Sequence, residues 1–261
     1  MALGLPQRRL LAAVLLGLGA SVAASPPPAP GTPDAGAMFA RMAAAMQSQS
    51  PPPALSYDET VVPHGLGLRI MEAGGKAAFH VVFSSDSTVR VFHVEQHDEQ
   101  NAIVVDNSSS KSYTADQLFL SATWTSMPSG DQPTVLSGVR SKMLADIRNG
   151  NGGDYTLSFV GTESVDGSPA YHLHMVAKDA GSHPLTDVFI DEQSYLTRRA
   201  MGAFTDNSVT NVTGLIDLTF DRAGAFWLVT SGQVDATVHA YFKTVSGSAT
   251  FSASNISFLP G

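Results

Sequence analysis

Along most of this chain the apolar residues recur at every second position, a period that only β-strands satisfy. The cleanest instance is Val234, Ala236, Val238, Ala240 and Phe242, which alternate with Asp235, Thr237, His239, Tyr241 and Lys243. The same period predicts strands at Leu66–Ile70, Phe79–Phe83, Val89–Val94 and Ala102–Val105. It recurs around Leu157 and Phe159, and at Tyr171–Met175, Val188–Ile190, Val212–Phe220, Phe226–Val229 and Ala249–Phe258. About ten short strands, each bounded by Gly, Asp, Asn or Ser, predict a mostly antiparallel sheet with one polar and one apolar face. Helices are too few between them for parallel βαβ units, and no period of 20–50 residues repeats.

Two stretches break the strand period. Met38, Phe39, Met42 and Met46 lie on one helical face, with Asp34 as the expected N-cap and Pro51-Pro52-Pro53 as the stop. Between residues 114 and 148 two further helices are expected. Thr114 caps the first, over Ala115–Thr125, which carries Leu118, Leu120 and Trp124. Thr134 caps the second, with Leu136, Val139, Met143, Leu144 and Ile147 at three- and four-residue spacing, closed by Gly150–Gly153. The fold class that follows is α+β, a long curved antiparallel sheet whose apolar face is covered by an N-terminal helix and two central lid helices. Such a cover can enclose a cavity. Its expected lining is Met38, Phe39, Met42, Leu118, Trp124, Val139 and Met143, facing Phe79, Val81, Leu173 and Met175 on the sheet. Methionine suits a surface that adapts to variable apolar partners.

Residues 1–24 read as a signal peptide. Arg8 and Arg9 form the positive region, Leu10–Val22 the apolar run, and Val22-Ala23-Ala24 the small residues at a cleavage point. The run is ~13 residues, short of the ~20 that span a bilayer, and no later segment reaches ~18. The expected mature protein is exported, periplasmic or secreted, without a transmembrane span after cleavage. Residues 25–36 read as a Pro-rich linker, with five prolines between Ser25 and Pro33. Residues 37–261 form the expected binding domain. A chain without cysteine holds this domain together by its core alone, which excludes disulfides, thiolate metal sites and thiol catalysis.

Lys and Arg number 15 against 23 Asp and Glu, a net charge of −8. Cleavage would remove two arginines and no acid. No basic patch for nucleic acid is expected. Chemistry-bearing motifs are sparse: there is no nucleophile elbow, P-loop or dinucleotide fingerprint. Ser108-Ser109-Ser110-Lys111 has a Ser-x-x-Lys spacing, but sits where a polar turn is expected. His93, Glu95 and His97 share one strand face, as do His172 and His174, so a weak surface metal site is the most they could form. Asp58-Glu59 and Asp191-Glu192 are adjacent pairs whose side chains a strand sends to opposite faces, a poor arrangement for paired acid–base work. Asn107, Asn211 and Asn255 head glycosylation sequons. No catalytic residue, metal or cofactor is expected.

Two stretches carry a resemblance. One is Gly161-Thr-Glu-Ser-Val165-Asp-Gly167-Ser-Pro-Ala-Tyr171-His-Leu173, followed by Asp187-Val-Phe-Ile190-Asp191 and Tyr195-Leu196-Thr-Arg198-Arg199. The other is Ala102-Ile-Val-Val105-Asp106, leading to Ser112-Tyr113. Together they make the region from Ala37 to Phe258 similar to the LolA/LolB-like outer-membrane lipoprotein-sorting family. That resemblance implies a half-open β-barrel with helical lids over an apolar cavity, and an exported carrier of acyl chains, lipid or lipoprotein. The family's best-known carrier has an Arg-Pro pair ahead of the second stretch; here the comparable region reads Phe83-Ser84-Ser85-Asp86. The resemblance therefore favours the general role, holding an apolar ligand, over lipoprotein handover. Two other roles stay open: an envelope sensor or scaffold that binds a protein partner, and a secreted hydrolase with dispersed catalytic residues.

Overall fold

The computed structural model describes residues 33–50, 54–73, 76–83, 89–96, 101–106, 109–114, 135–179, 181–206, 211–240 and 243–258. The expected signal peptide, most of the Pro-rich linker, and the first central helix with Leu118 and Trp124 lie outside them, as does His97.

Helix α1 (Ala35–Gln47) opens the described chain. Asp34 caps it as the sequence predicts, its carboxylate accepting from the backbone N–H groups of Gly36 (2.9 Å) and Ala37 (3.2 Å). The helix thus begins one residue before the expected end of the linker, because the cap sets its first turn. Thirteen residues are marginal for an isolated helix. What holds α1 is the burial of Met38, Phe39, Met42 and Met46, worth roughly 1.5–3 kcal/mol each.

Strands β1 (Leu55–His64), β2 (Leu66–Ala73), β3 (Lys76–Phe83), β4 (Arg90–Gln96), β5 (Asn101–Asp106) and β6 (Ser109–Thr114) precede helix α2 (Val135–Asn149). A 3-10 turn at Asn151–Asp154 follows α2. Then come β7 (Tyr155–Val165), β8 (Ser168–Ala177), β9 (Leu185–Asp191), β10 (Thr197–Asp206), β11 (Asn211–Ala223), β12 (Phe226–Ala240) and β13 (Lys243–Phe258).

Eleven strands form one sheet in the order β6-β5-β4-β1-β13-β12-β11-β10-β9-β8-β7. All its pairings are antiparallel. Its two ends, β6 and β7, do not pair with each other. The sheet is therefore a curved half-open barrel, and the fold class is α+β. The β2–β3 hairpin is separate and pairs only with itself. It leaves β1 at Gly65, whose φ of +76° only glycine adopts freely.

Three strands escape the alternation rule. In β1 the core face carries Leu55, Tyr57, Glu59 and Val61, so a charge interrupts the apolar series. In β10 the core-facing residues are Ala200, Gly202 and Phe204; the first two are too small for the strand to register as an apolar series. In β6 the sequence is Ser-Ser-Lys-Ser-Tyr-Thr, so Ser109, Ser110 and Lys111 stand in a strand and not in the expected turn. Conversely, Phe226–Val229 and Val234–Phe242, read as two strands, belong to one as far as Ala240, where the described part ends. Thr219 pairs with Ser231 and Phe220 with Val229, which leaves Thr230 as a bulge. The core-facing phase changes there from Trp227 and Val229 to Val234 and Ala236.

Candidate functional site

One face of the sheet carries the main core. Helix α1 contributes Met38, Phe39, Met42 and Met46, and α2 contributes Met143, Leu144 and Ile147, to a single cluster. The sheet adds Leu173, Met175, Val188, Ile190, Ala200, Ile216, Leu218 and Val234. Of the predicted lining, Met38, Phe39, Met42, Met143, Leu173 and Met175 come together here, none more than 8% exposed. Val139 is partly buried against the same cluster. Leu118 and Trp124 lie outside the described residues. Phe79 and Val81 stand in another sheet: they lie on β3, in the two-stranded sheet, and not on the strands that carry Leu173 and Met175. Two strand periods look alike in sequence whichever sheet they join.

The helices sit close because glycines receive them. A Cβ on Gly152 would stand 2.8 Å from the Phe39 ring, and one on Gly202 would stand 2.6 Å from Met143 Sδ. A buried carboxylate adds a polar anchor. Asp146 of α2 accepts hydrogen bonds from Asn151 Nδ2 (2.8 Å) and Tyr155 Oη (2.5 Å), and His183 Nδ1 lies 3.2 Å away. The Tyr155 hydroxyl in turn accepts from the Leu185 backbone N–H (3.3 Å). Burial first, then Asp146, pushes the Tyr155 phenol far up, so it remains a donor.

The other part of this face holds polar groups that sequence reasoning missed. Tyr57 and Glu59 of β1, Gln96 of β4 and Arg140 of α2 are all at most 4% exposed. Both charges reach Tyr57: burial raises its phenol well above the ordinary value, Glu59 raises it further, and Arg140 opposes. The Tyr57 hydroxyl is buried without a hydrogen-bond partner among the described residues. Two residues of β13, Asn255 and Ile256, oppose Tyr57 in the ladder. Asn255 takes a φ of +53° there, and such a bulge re-aims side chains. One signal for this cluster was present in the sequence. Arg140 falls four residues after Leu136 and three before Met143, on the apolar face of its own helix.

The histidines singled out in the sequence lie elsewhere. His93 Nδ1 is 2.9 Å from Asp58 Oδ1, and its Nε2 is 3.8 Å from Glu95 Oε1. Asn255 Nδ2 donates to Asp58 Oδ2 at 2.7 Å; this bond, then His93, holds the Asp58 carboxyl below its ordinary range. His172 is bracketed by Glu163 (2.7 Å) and Asp187 (2.9 Å), and His174 is 3.0 Å from Asp187. His172 also stacks on Phe189 at 4.3 Å. These histidines thus stand beside carboxylates. Among the described residues no group of three or more His, Asp and Glu is placed to hold a metal ion. Also among them, no helix is long and apolar enough to cross a membrane.

No family model matches the chain, and no curated protein matches it. Solved structures do resemble it, and the family read from the sequence is among them. A DUF1329 family protein from Desulfovibrio piger is 15% identical, over 87% of this chain and 94% of its own, with a TM-score of 0.37. A LolA superfamily protein from Nitrosomonas europaea is 14% identical, over 88% and 96%, with a TM-score of 0.35. A domain described as a putative outer membrane lipoprotein-sorting protein, from Vibrio parahaemolyticus, is 12% identical, over 85% and 92%, with a TM-score of 0.36. These likenesses concern the arrangement of strands and helices alone.

Proposed function

We propose that this protein is an exported binding protein that holds an acyl chain or another apolar ligand between its helices and the covered face of its sheet. One observation carries the reading. Five buried methionines, Met38, Met42, Met46, Met143 and Met175, meet in one cluster at the helix–sheet boundary. Methionine repacks around irregular apolar shapes more readily than branched residues do. A boundary rich in it suits a ligand of variable shape. The apolar run at Leu10–Val22 after Arg8 and Arg9 supports export and a periplasmic or secreted location. A binding role, and not catalysis, is supported by where His93 and His174 sit: half-exposed, beside Asp58 and Asp187.

Native mass spectrometry after purification without detergent tests this. The mature chain should carry an adduct of lipid mass that organic extraction removes. A mass equal to the bare chain, together with a protein captured in pull-down, would favour the scaffold role instead.

A further inference from the structure

The polar cluster under α2 is costly to the fold. Tyr57, Glu59, Gln96 and Arg140 are withdrawn from water among Leu55, Val61, Phe92 and Val94. Apolar residues in their place would pack as well without the loss of hydration. Three features suggest that the cluster serves recognition. The Tyr57 hydroxyl is buried and has no hydrogen-bond partner among the described residues. Tyr57 sits at a break in the ladder, opposite Asn255 and Ile256, and bulges of this kind occur beside binding sites. The charges flanking it are of opposite sign and both act on the phenol.

We infer that Tyr57 is a polar subsite within the apolar face, donating its hydroxyl hydrogen to the ester or amide carbonyl of an uncharged acyl lipid. The inference rests on the proposed acyl-binding role and specifies the ligand's linkage. The ligand must offer an acceptor, because the phenol stays protonated: burial and Glu59 both disfavour the phenolate. An uncharged ligand suits the site best. A carboxylate, phosphate or ammonium would be drawn to one of Glu59 and Arg140 and repelled by the other, so neither sign of charge gains what offsets its loss of hydration. A carbonyl carries no net charge and accepts one hydrogen bond from Tyr57.

The test compares three C16 probes on the full mature chain, wild type and Tyr57→Phe, by displacement of a fluorescent alkyl probe: 1-monopalmitoylglycerol, palmitate and hexadecane. The wild type should bind the monoacylglycerol about tenfold more tightly than palmitate. Tyr57→Phe keeps the ring and its packing; it should lose about tenfold for the monoacylglycerol and leave hexadecane unchanged. Equal binding of all three probes by both proteins, or tighter binding of palmitate, would overturn the subsite while leaving the carrier role intact. Failure of the wild type to bind even the alkyl probe would overturn the carrier role, and the subsite with it. A further measurement does not depend on the variant folding. Isotope-edited infrared spectroscopy of a 13C-carbonyl monoacylglycerol bound to the wild type should show the carbonyl stretch at lower frequency than in hydrocarbon. An unshifted band would overturn the assignment.

Discussion

Met143 of α2 lies directly over Gly202 of β10: a Cβ at Gly202 would come within 2.6 Å of Met143 Sδ and 3.0 Å of its Cε. Met143 is fully buried and has little room to yield. Gly202→Ala should therefore destabilise the fold by about 1–3 kcal/mol through overpacking. Met143→Ala should cost about 2–5 kcal/mol through the cavity it leaves. The double variant should cost less than the sum of the two, since the added methyl enters that cavity. Urea denaturation of the four proteins checks this; strict additivity would separate α2 from β10.

Glu59 and Arg140 are both buried and both act on Tyr57. Arg140→Leu alone leaves the Glu59 carboxylate in an apolar surrounding and should cost about 3–5 kcal/mol. Glu59→Leu with Arg140→Leu should recover most of that loss. Thermal unfolding of the single and double variants reads the coupling, and a double variant as unstable as the single would show that the two charges do not compensate each other.

These pairs also show what a sequence can disclose. Helix α1 was legible because its cap and its Met38, Phe39, Met42 and Met46 stripe are local features. The core positions of Met143, Leu173 and Met175 were legible for the same reason: an apolar face on a helix or strand finds the core. Strand β10 was hidden because Met143 fills the space above Gly202, so an apolar side chain on the strand's face there belongs to another element. Glu59 and Arg140 were hidden because what brings both charges to bear on Tyr57 is the packing of α2 against β1, 81 positions apart along the chain. The pairing of β1 with β13, at opposite ends of the described chain, left no local trace either.

Asp146 fastens α2 to β7 and to the segment leading into β9 through Asn151, Tyr155 and His183. Asp146→Ala removes the acceptor from the buried Tyr155 hydroxyl, and a buried donor left unpaired costs about 1–3 kcal/mol. Hydrogen exchange should show amides of Val135–Asn149 losing protection before those of β11 and β12 do. Uniform loss across the sheet would contradict a local anchor.

Burial raises the Asp191 carboxyl pKa, but hydrogen bonds from the Ser194 backbone and hydroxyl and from Arg198 outweigh it, so it titrates below the ordinary aspartate value. A depressed folded-state value means stability that is fully present above the unfolded value, ~3.9, and lost as pH falls through the folded one. Asp191→Asn should therefore flatten the decline of stability below about pH 4, and should cost about 1–3 kcal/mol near neutrality. Unfolding midpoints between pH 2 and 7, compared with wild type, check the sign.

The central claim is that the methionine-rich boundary between helices and sheet holds an apolar chain, and titration of the mature protein with a fluorescent C16 fatty-acyl probe tests it most directly. Each buried methylene contributes ~0.8 kcal/mol, so affinity should rise with probe chain length and fall stepwise when Phe39 is cut to Ala. His93→Ala and a chelator should leave it unchanged. If the probe fails to saturate, or if binding ignores chain length and Phe39 but is abolished by the chelator or by His93→Ala, the ligand does not lie on this face and the account is wrong.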